Sequence, residues 1–201
     1  MGEQRIDKTK LDVLKELANI GVGNAVTSLS TMLNEEKINM DVPSARLVLL
    51  QDVPELLGGA ELPVAGVYIE SSGDADLTIL FVLPLDSGVN LISTLVPGSN
   101  GLFDEMGISV LTEVGNILTT SYLNALSFMT NLLLIPNPPE VAVDMSGAII
   151  STIMAEKYMV EDEVVLLSTA LKSMKTRIEG HILIFPDAGA LKKIFTLLGI
   201  R

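Results

Sequence analysis

Residues 12–20 read DVLKELANI, and residues 109–117 read SVLTEVGNI. The second stretch follows the first by about 97 residues, close to half of the chain, and such self-similarity indicates an internal repeat. The same offset also matches the set Leu29, Ser30 and Met32 with the set Leu126, Ser127 and Met129. The likeness therefore runs along several helical turns and predicts that each half opens on a long helix.

A second repeated pattern occurs near the end of each half. The apolar run 79–84 is followed, after Leu85, by Asp-Ser-Gly, and the apolar run 182–186 is followed directly by Asp-Ala-Gly, as where a strand leads into a helix. No Gly/Ser-rich or charged linker separates the halves. We therefore expect one domain, residues 1–201, built from repeats of about 1–100 and 101–201 that pack around a pseudo-two-fold axis.

Hydrophobic periodicity predicts the remaining elements. Apolar residues recur at three- and four-residue steps in both long helices, which is the signature of an amphipathic helix. Further helices are expected at about 86–96, 146–156 and 187–198, and strands from Pro43 onward and at 64–70, 77–83, 141–144, 164–171 and 178–185. The predicted fold class is α+β, with two long helices packed on a shared, mainly antiparallel sheet.

Composition excludes several functions. The chain has 201 residues, 48% of them hydrophobic, a formal net charge of -12 and no Cys, so thiol chemistry and Cys-ligated zinc are excluded. The negative charge disfavours nucleic acid and anionic membrane surfaces as partners. Apolar runs such as residues 132–135 are too short to span a bilayer and are expected to be buried strands or helix faces. The N-terminus is too polar for a signal peptide, so we expect the cytoplasm.

Polar residues form one stripe on each long helix. The stripes consist of Asp12, Glu16 and Asn19 in the first helix and of Ser109, Glu113 and Asn116 in the second. Each set falls within about 60° of the helix circumference, beside the apolar stripe, so it faces solvent or a partner. A solvated surface explains one such stripe, but Glu and Asn at i and i+3 recur in both halves, and Asn is unfavourable inside a helix.

The chemistry of these groups suits water-dependent phosphoryl transfer. A carboxamide has both donors and an acceptor, so it can orient a water molecule without becoming charged. A carboxylate one turn away can pair with a lysine of an incoming protein. In-line attack of water on a phosphoryl group depends mainly on such positioning.

Three other features have simpler explanations. Gly21 and Gly23 form Gly-x-Gly without the third glycine or preceding strand of a nucleotide loop, so they favour close helix packing. His181 has no companion His or Cys and is interpreted as a strand residue. Met32 and Met129 fall on the core period of the long helices and are expected to fill the core.

The doubled motif resembles the CheC family of chemotaxis phosphatases, which also includes CheX and FliY. The motif is Asp or Ser, three residues, Glu, two residues, Asn and a distant Pro, and the likeness covers essentially the whole chain. It implies hydrolysis of the aspartyl phosphate on the response regulator CheY, with Asn19 and Asn116 orienting water and Glu16 and Glu113 contacting the regulator's lysine. Asp12 and Ser109 would support the motif. No cofactor or metal is expected on this chain, and Mg²⁺ would belong to CheY.

One spacing departs from the family pattern. Pro139 follows Asn116 at the usual distance, whereas Pro43 follows Asn19 one residue later than expected. We expect a loop insertion near residues 34–37 to account for the extra residue.

The resemblance also implies a second partner, the receptor deamidase CheD. The expected contact is the predicted helix near residues 144–155, including Asp144, Met145, Ala148 and Ile149, although this apolar segment equally suits an ordinary buried helix. A monomer is expected because internal pseudo-symmetry removes one reason to dimerise. The rival function is a non-enzymatic adaptor that binds CheD or a response regulator. The enzyme predicts that alanine at both Asn19 and Asn116 abolishes dephosphorylation while leaving the fold intact.

Overall fold

A computed structural model describes residues 7–32, 39–99, 104–157, 163–172, 177–186 and 189–200 of the chain. The helices are α1 (Lys8–Met32), α2 (Val53–Leu56), α3 (Leu85–Leu95), α4 (Glu105–Thr130), α5 (Ser146–Lys157) and α6 (Ala190–Leu197). The strands are β1 (Asn39–Leu49), β2 (Pro63–Gly73), β3 (Leu77–Pro84), β4 (Leu134–Pro136), β5 (Glu140–Met145), β6 (Glu163–Lys172) and β7 (Arg177–Pro186). A 3-10 turn at Leu50–Asp52 precedes α2.

Strands from both halves interleave in one antiparallel sheet. Within the described ranges the order is β1-β6-β7-β3-β2, and β4 and β5 both pair with the free edge of β2. The central pair, β7 and β3, comes from equivalent places in the two halves, as do β6 and β2 and the edge strands β1 and β5. This arrangement has the pseudo-two-fold character that the repeat predicts, with the axis passing between β3 and β7.

Each face of the sheet carries its own core. Helices α1, α3, α4 and α6 cover one face, where Val165 and Leu167 of β6 are buried. The turn at Leu50–Asp52 and helices α2 and α5 cover part of the other face, where Val164 and Leu166 are buried. Because successive strand residues point to opposite faces, a strand covered on both sides has a continuous apolar run. Coverage of β6 on both faces therefore explains the continuous apolar run Val-Val-Leu-Leu at residues 164–167.

The predicted architecture is confirmed. The long helices and the helices and strands placed from periodicity are present, with ends that differ by a few residues. The short elements α2 and β4 were not predicted, because neither is long enough to show a period. None of the helices in the described part of the chain combines the length and apolarity needed to cross a membrane.

Two predictions of burial were wrong. Within the apolar run 132–135, Leu133 is 61% exposed and Ile135 is 49% exposed, because the chain turns out of α4 there and forms a short edge strand. Met129 is 47% exposed near the C-terminal end of α4, although its helical period matches the core. The helix start predicted at residues 187–188 and the insertion predicted near 34–37 lie outside the described residues.

Candidate functional site

Two equivalent aspartates start the long helices. The Asp7 Oδ1 atom accepts a hydrogen bond from the Lys10 backbone N–H at 3.0 Å, and the Asp104 Oδ1 atom accepts one from the Gly107 N–H at 2.6 Å. Such side-chain caps satisfy N–H groups that the first helical turn leaves free. The caps are separated by the offset of the repeat, so they start both helices in the same phase. These caps were not predicted, although an aspartate just before a periodic helix is a recognisable signal.

The two glutamates of the stripes are presented to solvent. Glu16 on α1 and Glu113 on α4 are both exposed, and neither forms a hydrogen bond or an ion pair with any residue in the described ranges. Both carboxylates therefore remain available to a cation supplied by a partner.

The first residues of the stripes differ chemically. Asp12 is exposed, like Glu16 on the next turn. The Ser109 hydroxyl instead donates to the Glu105 carbonyl of its own helix at 2.8 Å. Only the first helix therefore adds a second carboxylate to its stripe.

The two asparagines of the stripes are half-buried. The Asn19 Oδ1 atom accepts a hydrogen bond from the backbone N–H of Val42 on the edge strand β1, at 3.0 Å. The Asn116 carboxamide has no hydrogen bond to any residue that the structure describes. The predicted residues thus lie together within each helix, but the two carboxamides do not have the same surroundings.

The surface beyond each pair carries no charge. Residues 17–32 and 114–130 contain no Asp, Glu, Lys or Arg, although the whole chain has a formal net charge of -12. The exposed positions there include Ile20, Asn24, Thr27, Asn124 and Phe128. Both helices therefore present a neutral, partly apolar surface next to one or two carboxylates.

Helices α1 and α4 cross at a glycine. A Cβ atom placed on Gly21 would lie 2.8 Å from the Tyr122 Cα atom, closer than such atoms approach, whereas one on Gly23 would meet nothing within 4 Å. The predicted role of Gly21 in close helix packing is confirmed, and Gly23 has no such role. Tyr122 is buried at the crossing, and burial raises the pKa of its phenol.

No group of three or more His, Asp or Glu residues suited to a metal occurs among the residues that the structure describes. His181 lies in β7, as predicted, and burial lowers the pKa of its imidazole, with Arg46 acting in the same direction and Glu179 opposing it. It is not part of either stripe.

A groove of about 200 Å³ lies between α5 and the edge strand β5. Its walls include three of the four residues expected to contact a second partner, namely Asp144, Ala148 and Ile149. Asp144 and Ala148 are exposed and Ile149 is buried, while Met145 is 51% exposed and lies outside the groove lining. The remaining lining residues are Gly66, Tyr68, Leu80, Glu140, Val141, Ala142, Thr152 and Ile153. The floor is thus apolar and the rim includes the carboxylates Glu140 and Asp144.

Solved structures of FliY and CheX proteins have this fold. FliY of Thermotoga maritima superimposes with a TM-score of 0.75 at 21% identity, covering 96% of this chain and 97% of that one. CheX in the CheX–CheY–BeF3–Mg²⁺ complex of Borrelia burgdorferi gives a TM-score of 0.53 at 18% identity, covering 92% and 100%. At these identities the likeness establishes the architecture alone.

Sequence similarity identifies the family to which the chain belongs. The model of the CheC-like family matches residues 10–46 and 106–143, which contain the two Glu/Asn pairs. The CheY-P phosphatase CheC of Bacillus subtilis is 33% identical over 201 aligned residues, covering 96% of both chains. The chain belongs to the CheC-like family.

Proposed function

We propose that this protein is a cytoplasmic phosphatase that hydrolyses the aspartyl phosphate of phosphorylated CheY. The observation that carries the proposal is the twofold presentation of an exposed glutamate and a half-buried asparagine, each followed by an uncharged stretch of helix at residues 17–32 and 114–130. Membership of the CheC-like family and the 33% identity to a CheY-P phosphatase support it.

The proposed reaction needs positioning more than covalent chemistry. A water molecule held by Asn19 or Asn116 attacks phosphorus in line, and the bond from phosphorus to the aspartyl oxygen breaks. The products are inorganic phosphate and the free aspartate of CheY, with the proton of the water released to solvent or phosphate. The Mg²⁺ ion that neutralises the phosphoryl oxygens belongs to the phosphorylated substrate. Glu16 or Glu113 pairs with a lysine of CheY and fixes the helix against it.

The neutral helix surfaces suit a phosphorylated partner. An aspartyl phosphate adds negative charge to the partner surface, and like charges across an interface cost several kcal/mol. A chain with a formal net charge of -12 therefore needs an uncharged surface around its catalytic residues. Residues 17–32 and 114–130 supply that surface, and the glutamates, with Asp12 at the first site, place negative charge where a lysine is to be met.

The direct test is the decay of phosphorylated CheY from the same organism. The regulator is phosphorylated with Mg²⁺ present, the phosphate donor is removed, and the phosphate remaining is followed with and without catalytic amounts of this protein. We expect acceleration at a protein concentration well below that of the regulator. Decay at the intrinsic rate, with or without CheD, would favour the adaptor.

We further propose that the groove between α5 and β5 binds CheD. Its apolar floor and the carboxylates of Glu140 and Asp144 fit a partner segment with an apolar side chain beside a basic one. We expect Ala148→Arg to weaken CheD binding at least about tenfold, since a long charged side chain would fill the groove. Isothermal titration of CheD into each variant measures the loss.

Ala155→Arg is the matched control for this prediction. Ala155 is also exposed on α5 but does not line the groove. Equal CheD affinity for Ala148→Arg, Ala155→Arg and the unmodified protein would place the contact elsewhere. Dephosphorylation without CheD should be unaffected by either change, because the two Glu/Asn pairs lie on other helices.

A further inference from the structure

The extra residue between Asn19 and Pro43 has a structural counterpart in β1. Pairing of β1 with β6 is regular on both sides of the segment between Asp41 and Ser44, where β1 has one residue more than its partner. Such a β-bulge leaves backbone groups outside the regular ladder. Val42 lies in the bulge, and its N–H donates to the Asn19 Oδ1 atom rather than to a strand.

The second half lacks both the bulge and the donor. Strand β5 pairs with β2 without interruption from Glu140 to Met145. Pro139 and Pro43 each directly precede the regularly paired run of their edge strand, so Pro138 occupies the position equivalent to Val42. Proline has no backbone N–H. The hydrogen bond that holds Asn19 therefore has no equivalent at Asn116.

We propose that the N–H of Val42 is a positioning group that tethers the Asn19 carboxamide to β1 and makes the first site the slower of the two. This inference rests on the proposed phosphatase activity. An attacking water is oriented by donating a proton to an acceptor, and the carboxamide oxygen is the only acceptor on an asparagine side chain. At the first site one of the two lone pairs of this oxygen already accepts from Val42, so the attacking water must share the oxygen with that N–H, whereas the Asn116 oxygen has no partner among the described residues.

The expected inequality follows from the worth of one hydrogen bond. The Asn19 oxygen must release the Val42 N–H, or share itself between that N–H and the water, before it can orient the water. The loss of one neutral hydrogen bond corresponds to a rate at the first site roughly two- to tenfold below that at the second. The Val42 side chain is 1% exposed in the core, so the bulge holds the donor firmly in place.

The experiment uses single-site proteins and phosphorylated CheY with Mg²⁺. In Asn116→Ala only the first site works, and in Asn19→Ala only the second. We expect Asn116→Ala to have a kcat roughly two- to tenfold below that of Asn19→Ala, at similar KM. Adding Val42→Pro to Asn116→Ala removes the donor and should raise kcat toward the value of Asn19→Ala. Adding Val42→Pro to Asn19→Ala should leave kcat unchanged, because that protein has no carboxamide at the first site to release.

Equal single-site rates, or a faster first site, would overturn the inference. So would a fall in kcat on adding Val42→Pro to Asn116→Ala alone, because the tether would then be aiding catalysis. If Val42→Pro impairs both backgrounds, it damages the fold, and the comparison of Asn19→Ala with Asn116→Ala decides.

Hydrogen exchange at the Val42 amide tests the tether without any activity. Exchange should quicken in Asn19→Ala and stay unchanged in Asn116→Ala, and no change in either would disprove the tether. A protein that keeps this difference but never accelerates the decay of phosphorylated CheY would refute the proposed function alone.

Discussion

Replacing Asn19 and Asn116 together by alanine is expected to leave phosphorylated CheY decaying at its intrinsic rate. Each alanine removes the group that holds the attacking water, and misplacing a reacting group costs about 100-fold in rate. Because both glutamates stay exposed, CheY should still bind. The concentration of phosphorylated CheY that gives the half-maximal rate should therefore change little. The measurement is phosphate loss from CheY across a range of protein concentrations.

The matched control changes two asparagines outside the stripes. Asn24 and Asn124 are exposed on the same helices, one on α1 and one on α4. Replacing both by alanine makes the same chemical change and should keep most of the acceleration. If the double variant at Asn19 and Asn116 kept its acceleration, the water-orienting mechanism would be wrong.

Stability must be measured alongside, because the asparagines are not equivalent. Asn19→Ala leaves the buried N–H of Val42 without a partner, which costs about 1–3 kcal/mol. Asn116→Ala breaks no hydrogen bond within the described residues and should cost less than about 0.5 kcal/mol. We therefore expect the two alanine replacements to differ in their effect on stability, although the double variant should still fold. A cooperative thermal transition confirms that the double variant is folded.

Local patterns predicted the long elements of this fold. Periodicity of 3.6 or 2 residues is a property of one segment, so α1, α4 and the strands β2, β3, β6 and β7 could be found from the sequence. Elements without a period were missed, such as β4. Burial at the ends of elements also escaped prediction: Met129 keeps the core period of α4 but is exposed near the C-terminal end of the helix.

The candidate site was likewise predictable where it depends on a single helix, and not where it depends on contacts between distant residues. The stripes were predictable because residues three and four apart share one side of a helix. The bond between Asn19 and Val42 joins residues 23 positions apart and depends on where a bulge falls in a sheet. The only sign of this bond in the sequence was the extra residue before Pro43, and that residue was assigned to a surface loop near residues 34–37. Pairing between strands, which the sequence alone does not show, gives β1 one residue more than its partner between Asp41 and Ser44.

Gly21→Ala is expected to destabilise the protein, whereas Gly23→Ala should stabilise it slightly. Both changes favour the helix by about 1 kcal/mol through propensity. At Gly21 the new methyl group would meet the Tyr122 Cα atom at 2.8 Å and the Ser121 carbonyl oxygen at 3.0 Å. Backbone cannot rotate aside as a side chain can, so α1 and α4 must separate, and overpacking of this kind costs about 1–3 kcal/mol.

The difference between the two glycine variants isolates the helix crossing. They share the helix, the substitution and the propensity gain, and only the contact with α4 differs. In a chain of this size each kcal/mol shifts Tm by about 2–4 °C, so the two melting temperatures should lie several degrees apart. Equal melting temperatures would show that the crossing accommodates a methyl group. Because Asn19 lies two residues before Gly21, a separated α1 would also carry its carboxamide away from Val42 and quicken exchange of that amide.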